Sequence, residues 1–233
     1  MSIADKHIFI AQIIKRWLLC YLLFFVTGCH GNPERYNKLV TTAAEAANIK
    51  VIQQRAFIQI SDAAKIIRSG DIITRTGNDF TSETLRQLNR QDKTYSHCGI
   101  ASIENDTLFV YHALGGDFNP NKKIRRDPLL FFCDPSSNRG FGIFRFKLHD
   151  AAIAQAVITA KKLYNAGIMF DMKFDLATDD RMYCTEYVYK SFLKSPQNTI
   201  HFNISHLKNI AFVGVDDIVK NPACQEIKRI LYK

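Results

Sequence analysis

Apolar positions recur at three- and four-residue spacing in some stretches of the chain and at every second residue in others, and this pattern predicts its elements. Lys38–Gln54 reads as an alanine-rich helix running on loosely toward Ile67, with Ser61 and Asp62 placed to cap a further turn. Gly70-Asp71 leads into the β-branched run Ile72-Ile73-Thr74, a strand start, and Gly77–Asp79 turns the chain into a short helix over Thr81–Asn89. Tyr95–Ile103 alternates as a strand, with His97, Gly99 and Ala101 on one face and Cys98 and Ile100 on the other. Asn105-Asp106 makes a turn, and Thr107–Leu114 returns as the hairpin partner with His112 near its end. Arg125-Arg126-Asp127-Pro128 leads into Leu129–Phe132, an apolar segment placed to begin a helix. Gly140–Leu148 alternates again, with Phe141, Ile143, Arg145 and Lys147 on one side. Ala151–Tyr164 is an amphipathic helix capped by Asp150, its buried stripe Ile153, Val157, Ala160 and Leu163, and Gly167 breaks it. Behind the polar run Asp175–Arg181, Tyr187, Val188 and Phe192 fall at helical spacing, so Cys184 lies in the first turn of a helix. Pro196–Ile200 reads as a loop and Ile210–Gly214 as a strand.

The first residues follow a different logic. Lys15 and Arg16 precede the apolar run Trp17–Val26, which has the length of a signal-peptide core and is too short to span a bilayer. It ends in Val26-Thr27-Gly28-Cys29, which resembles the lipobox of bacterial lipoproteins. The resemblance implies cleavage before Cys29, lipidation of Cys29 and a membrane anchored through that lipid. His30 stands where an inner-membrane retention aspartate would, so in a Gram-negative envelope the expected location is the outer membrane, facing the periplasm. The expected organisation is a signal peptide over 1–28, a tether and helical segment over 29–69, and a single folded domain over 70–233.

Charge and cysteine content narrow the partners. Loss of 1–28 removes Lys6, Lys15, Arg16 and Asp5 and lowers the formal net charge from +9 to +7. No Lys/Arg run exceeds two residues, so nucleic acid is not an expected partner of an exported chain; anionic headgroups or an acidic wall polymer suit the location better. Oligomeric state is not legible. Setting aside Cys29 for the lipid and Cys184 for chemistry leaves Cys98, Cys133 and Cys224, without zinc-type spacing. One bridge between Cys133 and Cys224 stays open in an oxidising compartment.

Cys184 is the candidate nucleophile. At a helix start, free backbone N–H groups and the helix dipole favour thiolate over thiol, and the same N–H groups suit an oxyanion. A nucleophile needs a base, and His97 is the candidate. Small Gly99 and Ala101 on its face leave room for something to pack there, such as the end of the Cys184 helix. His112, on the neighbouring strand, is placed to orient His97. His149, His201 and His206 carry no assigned role. Tyr183 reads as packing, and Glu186 as a first-turn carboxylate favoured by the dipole.

Five blocks together carry a resemblance: Gly-Asp-Ile-Ile at 70–73, Tyr-Ser-His-Cys-Gly-Ile at 95–100, Val-Tyr-His-Ala at 110–113, Phe-Asp-Met-Lys-Phe at 170–174 and Tyr-Cys-Thr-Glu-Tyr-Val at 183–188. They resemble the YaeF/YiiX family of circularly permuted papain-fold amidases, related to NlpC-type cell-wall peptidases, with histidine before cysteine as the permuted order requires. Thr185 replaces a frequent serine and Phe170 a frequent tyrosine. The resemblance implies an α+β fold, an antiparallel sheet flanked by helices. It makes Cys184 the nucleophile, His97 the general base and then acid, and His112 the third polar group. No metal or cofactor is implied. The expected activity is cysteine hydrolase chemistry on an amide of a peptide or peptidoglycan-derived substrate. Two alternatives are a lipid acyl hydrolase or acyltransferase with the same thiol, and a non-catalytic lipoprotein that binds cell-wall peptides.

Overall fold

A computed structural model describes residues 42–233 except 116–118, 120–121, 196–198 and 208–209. The signal peptide read over 1–28, the lipid site Cys29 and the tether as far as residue 41 lie outside the described residues. The chain divides after Glu45, and the architecture below is that of Ala46–Lys233. No helix among the described residues is long and apolar enough to cross a membrane.

The architecture is α+β. Helix α1 (Ala43–Ala64) is one continuous element, so Ser61 and Asp62 lie inside it and cap nothing. Strand β1 (Ile72–Gly77) follows, then α2 (Phe80–Leu88), whose N-cap is Asp79: its carboxylate accepts the Ser82 N–H. Strands β2 (His97–Glu104), β3 (Thr107–His112) and β4 (Arg125–Pro128) form a meander, and a single turn of helix, α3 (Leu129–Phe132), closes it. β5 (Asn138–Phe146) returns to the other side of β1, and β10 (Cys224–Leu231) lies outside β5. The order β10-β5-β1-β2-β3-β4 makes a six-stranded sheet in which every pair is antiparallel. Between β5 and β10 run α4 (Asp150–Asn165), the two-residue strands β6 (Met169–Phe170) and β7 (Arg181–Met182), α5 (Cys184–Leu193), the ribbon β8 (Ser205–Leu207) and β9 (Ile210–Phe212), and α6 (Val215–Val219).

Period-two alternation divides the sheet's side chains between two cores. On one face Ile72, Cys98, Ile100, Tyr111, Phe144 and Phe146 bury against Ala156, Val157 and Ala160 of α4 and against Tyr187, Val188 and Phe192 of α5. On the other, Ile73, Ala101, Val110, Phe141 and Ile143 bury against Ile60 and Ala63 of α1, Ile67, and Leu129 and Phe132 of α3. Of the predicted α4 stripe, Val157 and Ala160 are buried and Ile153 and Leu163 are partly so. The predicted Asp150 cap is replaced by His149, which makes no side-chain capping bond.

The two faces settle the cysteines. Cys98, Cys133, Cys184 and Cys224 are all free thiols. Cys133 lies in the α1 face's core and Cys224 packs on the α5 face's core, so the bridge left open by spacing is excluded by a sheet standing between them.

Candidate active site

Helix α5 begins at Cys184, as its pattern predicts, with Tyr183 as N-cap. Three buried contacts fix that end. The Tyr183 hydroxyl accepts the Val213 N–H at 3.0 Å, the Thr185 hydroxyl donates to the Val213 carbonyl at 2.5 Å, and the Glu186 carboxylate accepts the Tyr183 N–H at 3.2 Å. Glu186 is therefore more than a first-turn carboxylate favoured by the dipole. It is fully buried, and Lys190, at 2.9 Å from it, also holds Asp179 of the preceding loop at 2.8 Å. Burial pushes the Glu186 carboxyl up to about 7 despite Lys190.

His97 opens β2 as Cys184 opens α5, and the two side chains meet at that end of the strand. The structure thus brings together all three residues singled out in the sequence. His97 Nε2 lies 2.8 Å from His112 Nδ1, and His112 Nε2 lies 2.9 Å from Asp127 Oδ2. Register explains the first contact. Ile100 pairs with Tyr111, which sets Gly99 beside His112, and His97 becomes the diagonal neighbour that reaches across. A Cβ on Gly99 would stand 2.9 Å from His112 Cβ and 2.6 Å from the Tyr111 carbonyl. The space that Gly99 leaves is filled by the neighbouring strand and not by α5, contrary to expectation. Ala101 packs in the α1 face's core.

Asp127 was not visible as a site residue, because Arg-Arg-Asp-Pro reads as a lead-in to a helix. It belongs to β4, where Arg125 pairs with His112 and Asp127 with Val110, so Asp127 shares the histidine face. Arg125 grips it with two bonds of 2.9 Å. Burial pushes the Asp127 carboxyl up, but the hydrogen bonds from His112 and Arg125 outweigh it and hold it down at about 2.

An ionised Asp127 fixes the protons along the line. Its acceptor oxygen requires the hydrogen of neutral His112 to sit on Nε2, leaving Nδ1 to accept from His97 Nε2–H. The His97 lone pair then sits on Nδ1, the nitrogen left for Cys184. Burial pulls both rings down to about 4, against the upward pull of Cys184 on His97 and of Asp127 on His112. Cys184 moves the opposite way. A hydrogen bond from the Cys98 thiol, the neighbouring His97 and the Cys98 backbone N–H outweigh its burial and bring its pKa well below the ordinary thiol value. Cys98 itself is pushed well above that value by burial. Cys98 is a core residue, as alternation predicts, and also a neighbour of Cys184, which alternation does not reveal.

Phe132 of α3 walls the site, its ring centroid 5.7 Å from that of His97 and 4.9 Å from that of His112. Cys184 and His97 are 9% and 7% exposed, enough for a small reagent to reach only their edges.

The class that fold and site define is an α+β domain with a buried thiol at a helix N-terminus, served by a His-His-Asp line from three neighbouring antiparallel strands. Among solved structures, one similar to it is the crystal structure of the metalloprotein YiiX from Escherichia coli O157:H7, with a TM-score of 0.56 and 20% identity over 70% of this chain and 98% of that chain. The chain therefore has a YiiX-like fold, in agreement with the resemblance carried by the five sequence blocks. No protein-family model matches the chain, and no curated protein does.

YiiX is described as a metalloprotein, and a metal in this chain would need a ligand set of its own. Among the described residues no three His, Cys, Asp or Glu side chains stand together as ligands. His97 Nε2 and both nitrogens of His112 are engaged within the line, which leaves His97 Nδ1 and the Cys184 sulfur as a two-donor set. That set does not fit a resident metal with the usual three or four protein ligands.

Proposed function

We propose that this chain is a cysteine hydrolase of the circularly permuted papain-like (NlpC-like) type that cleaves an amide bond by a Cys-His mechanism. The observation that carries the reading is the unbroken line Cys184, His97, His112, Asp127 at the start of α5. The thiol proton passes to His97 Nδ1 as the Cys184 sulfur attacks the amide carbonyl carbon. First-turn N–H groups of α5, which no intrahelical carbonyl can accept, face the developing oxyanion. The C–N bond breaks as His97 returns the proton to the leaving amine, giving a thioester. Water then loses a proton to His97 and attacks the thioester, and the released Cys184 sulfur takes the proton back. With His97 held down to about 4, its resting form is the neutral base, and the thiolate–imidazolium pair forms by proton transfer along an existing contact.

The substrate reading is a peptide or cell-wall peptide amide at the bacterial envelope, on an anchor through Cys29. A lipid acyl bond is the second reading, favoured by Leu130 and Phe131, exposed on the same α3 turn whose Phe132 packs against both histidines. The deciding measurement is the pH dependence of iodoacetamide alkylation at Cys184, followed by peptide mass spectrometry beside a His97→Ala variant. The expected apparent pKa lies well below the roughly 8.5 of a free cysteine and rises when His97 is removed. An unreactive Cys184, or one indifferent to His97, overturns the hydrolase reading and leaves a binding lipoprotein.

A further inference from the structure

Arg75 lies in β1 directly opposite His97 of β2, on the histidine face of the sheet. Its guanidinium sits 4.8 Å above the Phe132 ring and donates from Nη1 to the Phe132 carbonyl at 3.1 Å. Phe132 is the same ring that packs against His97 and His112, so the cation borders the line of catalytic candidates.

The cation's partners set it apart. Five arginines among the described residues are partly buried: Arg75, Arg86, Arg125, Arg126 and Arg145. Four grip a carboxylate, Arg86 on Glu83, Arg125 on Asp127, Arg126 on Glu104 and Arg145 on Asp71. Among the described residues no carboxylate lies within ion-pair distance of Arg75, and its hydrogen bond goes to a neutral carbonyl. A guanidinium taken from water without a counter-ion is costly, because Coulomb attraction to a partner is what usually offsets desolvation. Burial lowers its hold on the proton, while Cys133, Asp127, Cys184 and Asp79 act on it only through space. It stays charged nonetheless, since arginine does not deprotonate in proteins. A desolvated planar fork beside a nucleophile, with donors unclaimed by any carboxylate, matches the two oxygens of a carboxylate.

We propose that Arg75 is the substrate-binding residue for a carboxylate, so that this site takes acyl compounds bearing a free carboxylate close to the carbonyl that Cys184 attacks. The proposal rests on the thiol-hydrolase reading and adds the charge of the substrate. It assigns Arg75 to binding and specificity and gives it no proton to move.

The test uses the full chain and the neutral reagent iodoacetamide on Cys184, with N-acetylglycine or N-acetylglycinamide as competitor. The two competitors are nearly the same size and differ in the carboxylate. N-acetylglycine is expected to slow alkylation at concentrations at which N-acetylglycinamide does not. In Arg75→Gln the concentration needed rises roughly ten- to a hundredfold, the value of a charge-assisted pair, while iodoacetamide alone still reacts. Arg75→Lys, which keeps the charge and loses the fork, is expected to fall between. Equal protection by both competitors in the wild-type protein overturns the proposal even if no variant folds, and so does undiminished carboxylate preference in Arg75→Gln. A wild-type Cys184 that iodoacetamide cannot alkylate is a separate outcome. It overturns the hydrolase reading itself, and this proposal with it.

Discussion

His112 touches His97 through one nitrogen and Asp127 through the other, so the ionisation of Asp127 decides which nitrogen of His97 carries its proton and leaves the Nδ1 lone pair to the thiol. Burial of the two rings makes this testable by titration. Their folded pKa values of about 4 lie below the unfolded value of 6.5, so the unfolded chain binds more protons between those limits. The stability they contribute is complete above pH 6.5 and is lost as pH falls toward 4. Asp127, held at about 2 against an unfolded 3.8, extends the same loss to lower pH. Glu186, raised to about 7 from 4.5, works the other way, contributing below pH 4.5 and losing that contribution as pH rises through 7. Two histidines against one glutamate leave net proton uptake on unfolding near pH 5. The expected result is a lower Tm at pH 4.5 than at pH 6.5, with ring resonances of His97 and His112 titrating near pH 4. A midpoint above 6 for His97 contradicts the neutral resting base. Asp127→Asn removes the charge that selects the tautomer, and Cys184 alkylation at neutral pH is expected to slow roughly tenfold, which the rate constant reads directly.

At the scale of elements, the site exists because β2, β3 and β4 hold one register and α5 starts at a fixed height beside them. Gly99 is the hinge of that register. A methyl there meets the Tyr111 carbonyl at 2.6 Å, Val110 Cγ1 at 2.7 Å and His112 Cβ at 2.9 Å, all closer than carbon atoms approach without a shift. In Gly99→Ala the strands must separate just where the 2.8 Å histidine contact is made. The expected cost is about 1–3 kcal/mol in chemical denaturation, as for other overpacked cores, accompanied by a loss of Cys184 reactivity. Full stability with full reactivity would show that the strand pair yields without disturbing the line. The resemblance blocks divide by role at this scale. Asp71 of Gly-Asp-Ile-Ile binds Arg145 through both oxygens at 2.6 and 2.7 Å and ties β1 to β5, so it serves the fold. Asp171 of Phe-Asp-Met-Lys-Phe accepts the N–H groups of Lys173 and Asp175 and shapes the loop before α5.

At the scale of the whole molecule, the sheet separates a thiol-bearing helix face from the face that carries the histidines and Arg75, and the candidate site sits where the two meet at a strand end. That separation predicts that peptide mapping under non-reducing conditions finds no Cys133–Cys224 bridge; finding one would require the chain to cross its own sheet. Local periodicity determined much of this protein. The strand around His97, its hairpin return to His112, helix α4 and the helix that starts at Cys184 are each written in spacing of two or of three to four, because burial of one face selects those positions. The sequence blocks also named Cys184, His97 and His112 in the order a permuted fold needs. What spacing does not encode is which strand lies beside which. β4 looks like a polar lead-in, and β10 pairs only with the distant β5, so Asp127 and the sheet's outer edge had no local signal. Cys98 and Arg75 became site residues only through contacts made across the sheet, Cys98 with the start of α5 and Arg75 opposite His97. The sequence by itself determined most of the elements and the candidate nucleophile with its candidate base. Only the tertiary structure decided the proton line behind that base and the unpaired cation beside it, because both depend on side chains brought together by strand register and not by neighbourhood in the chain.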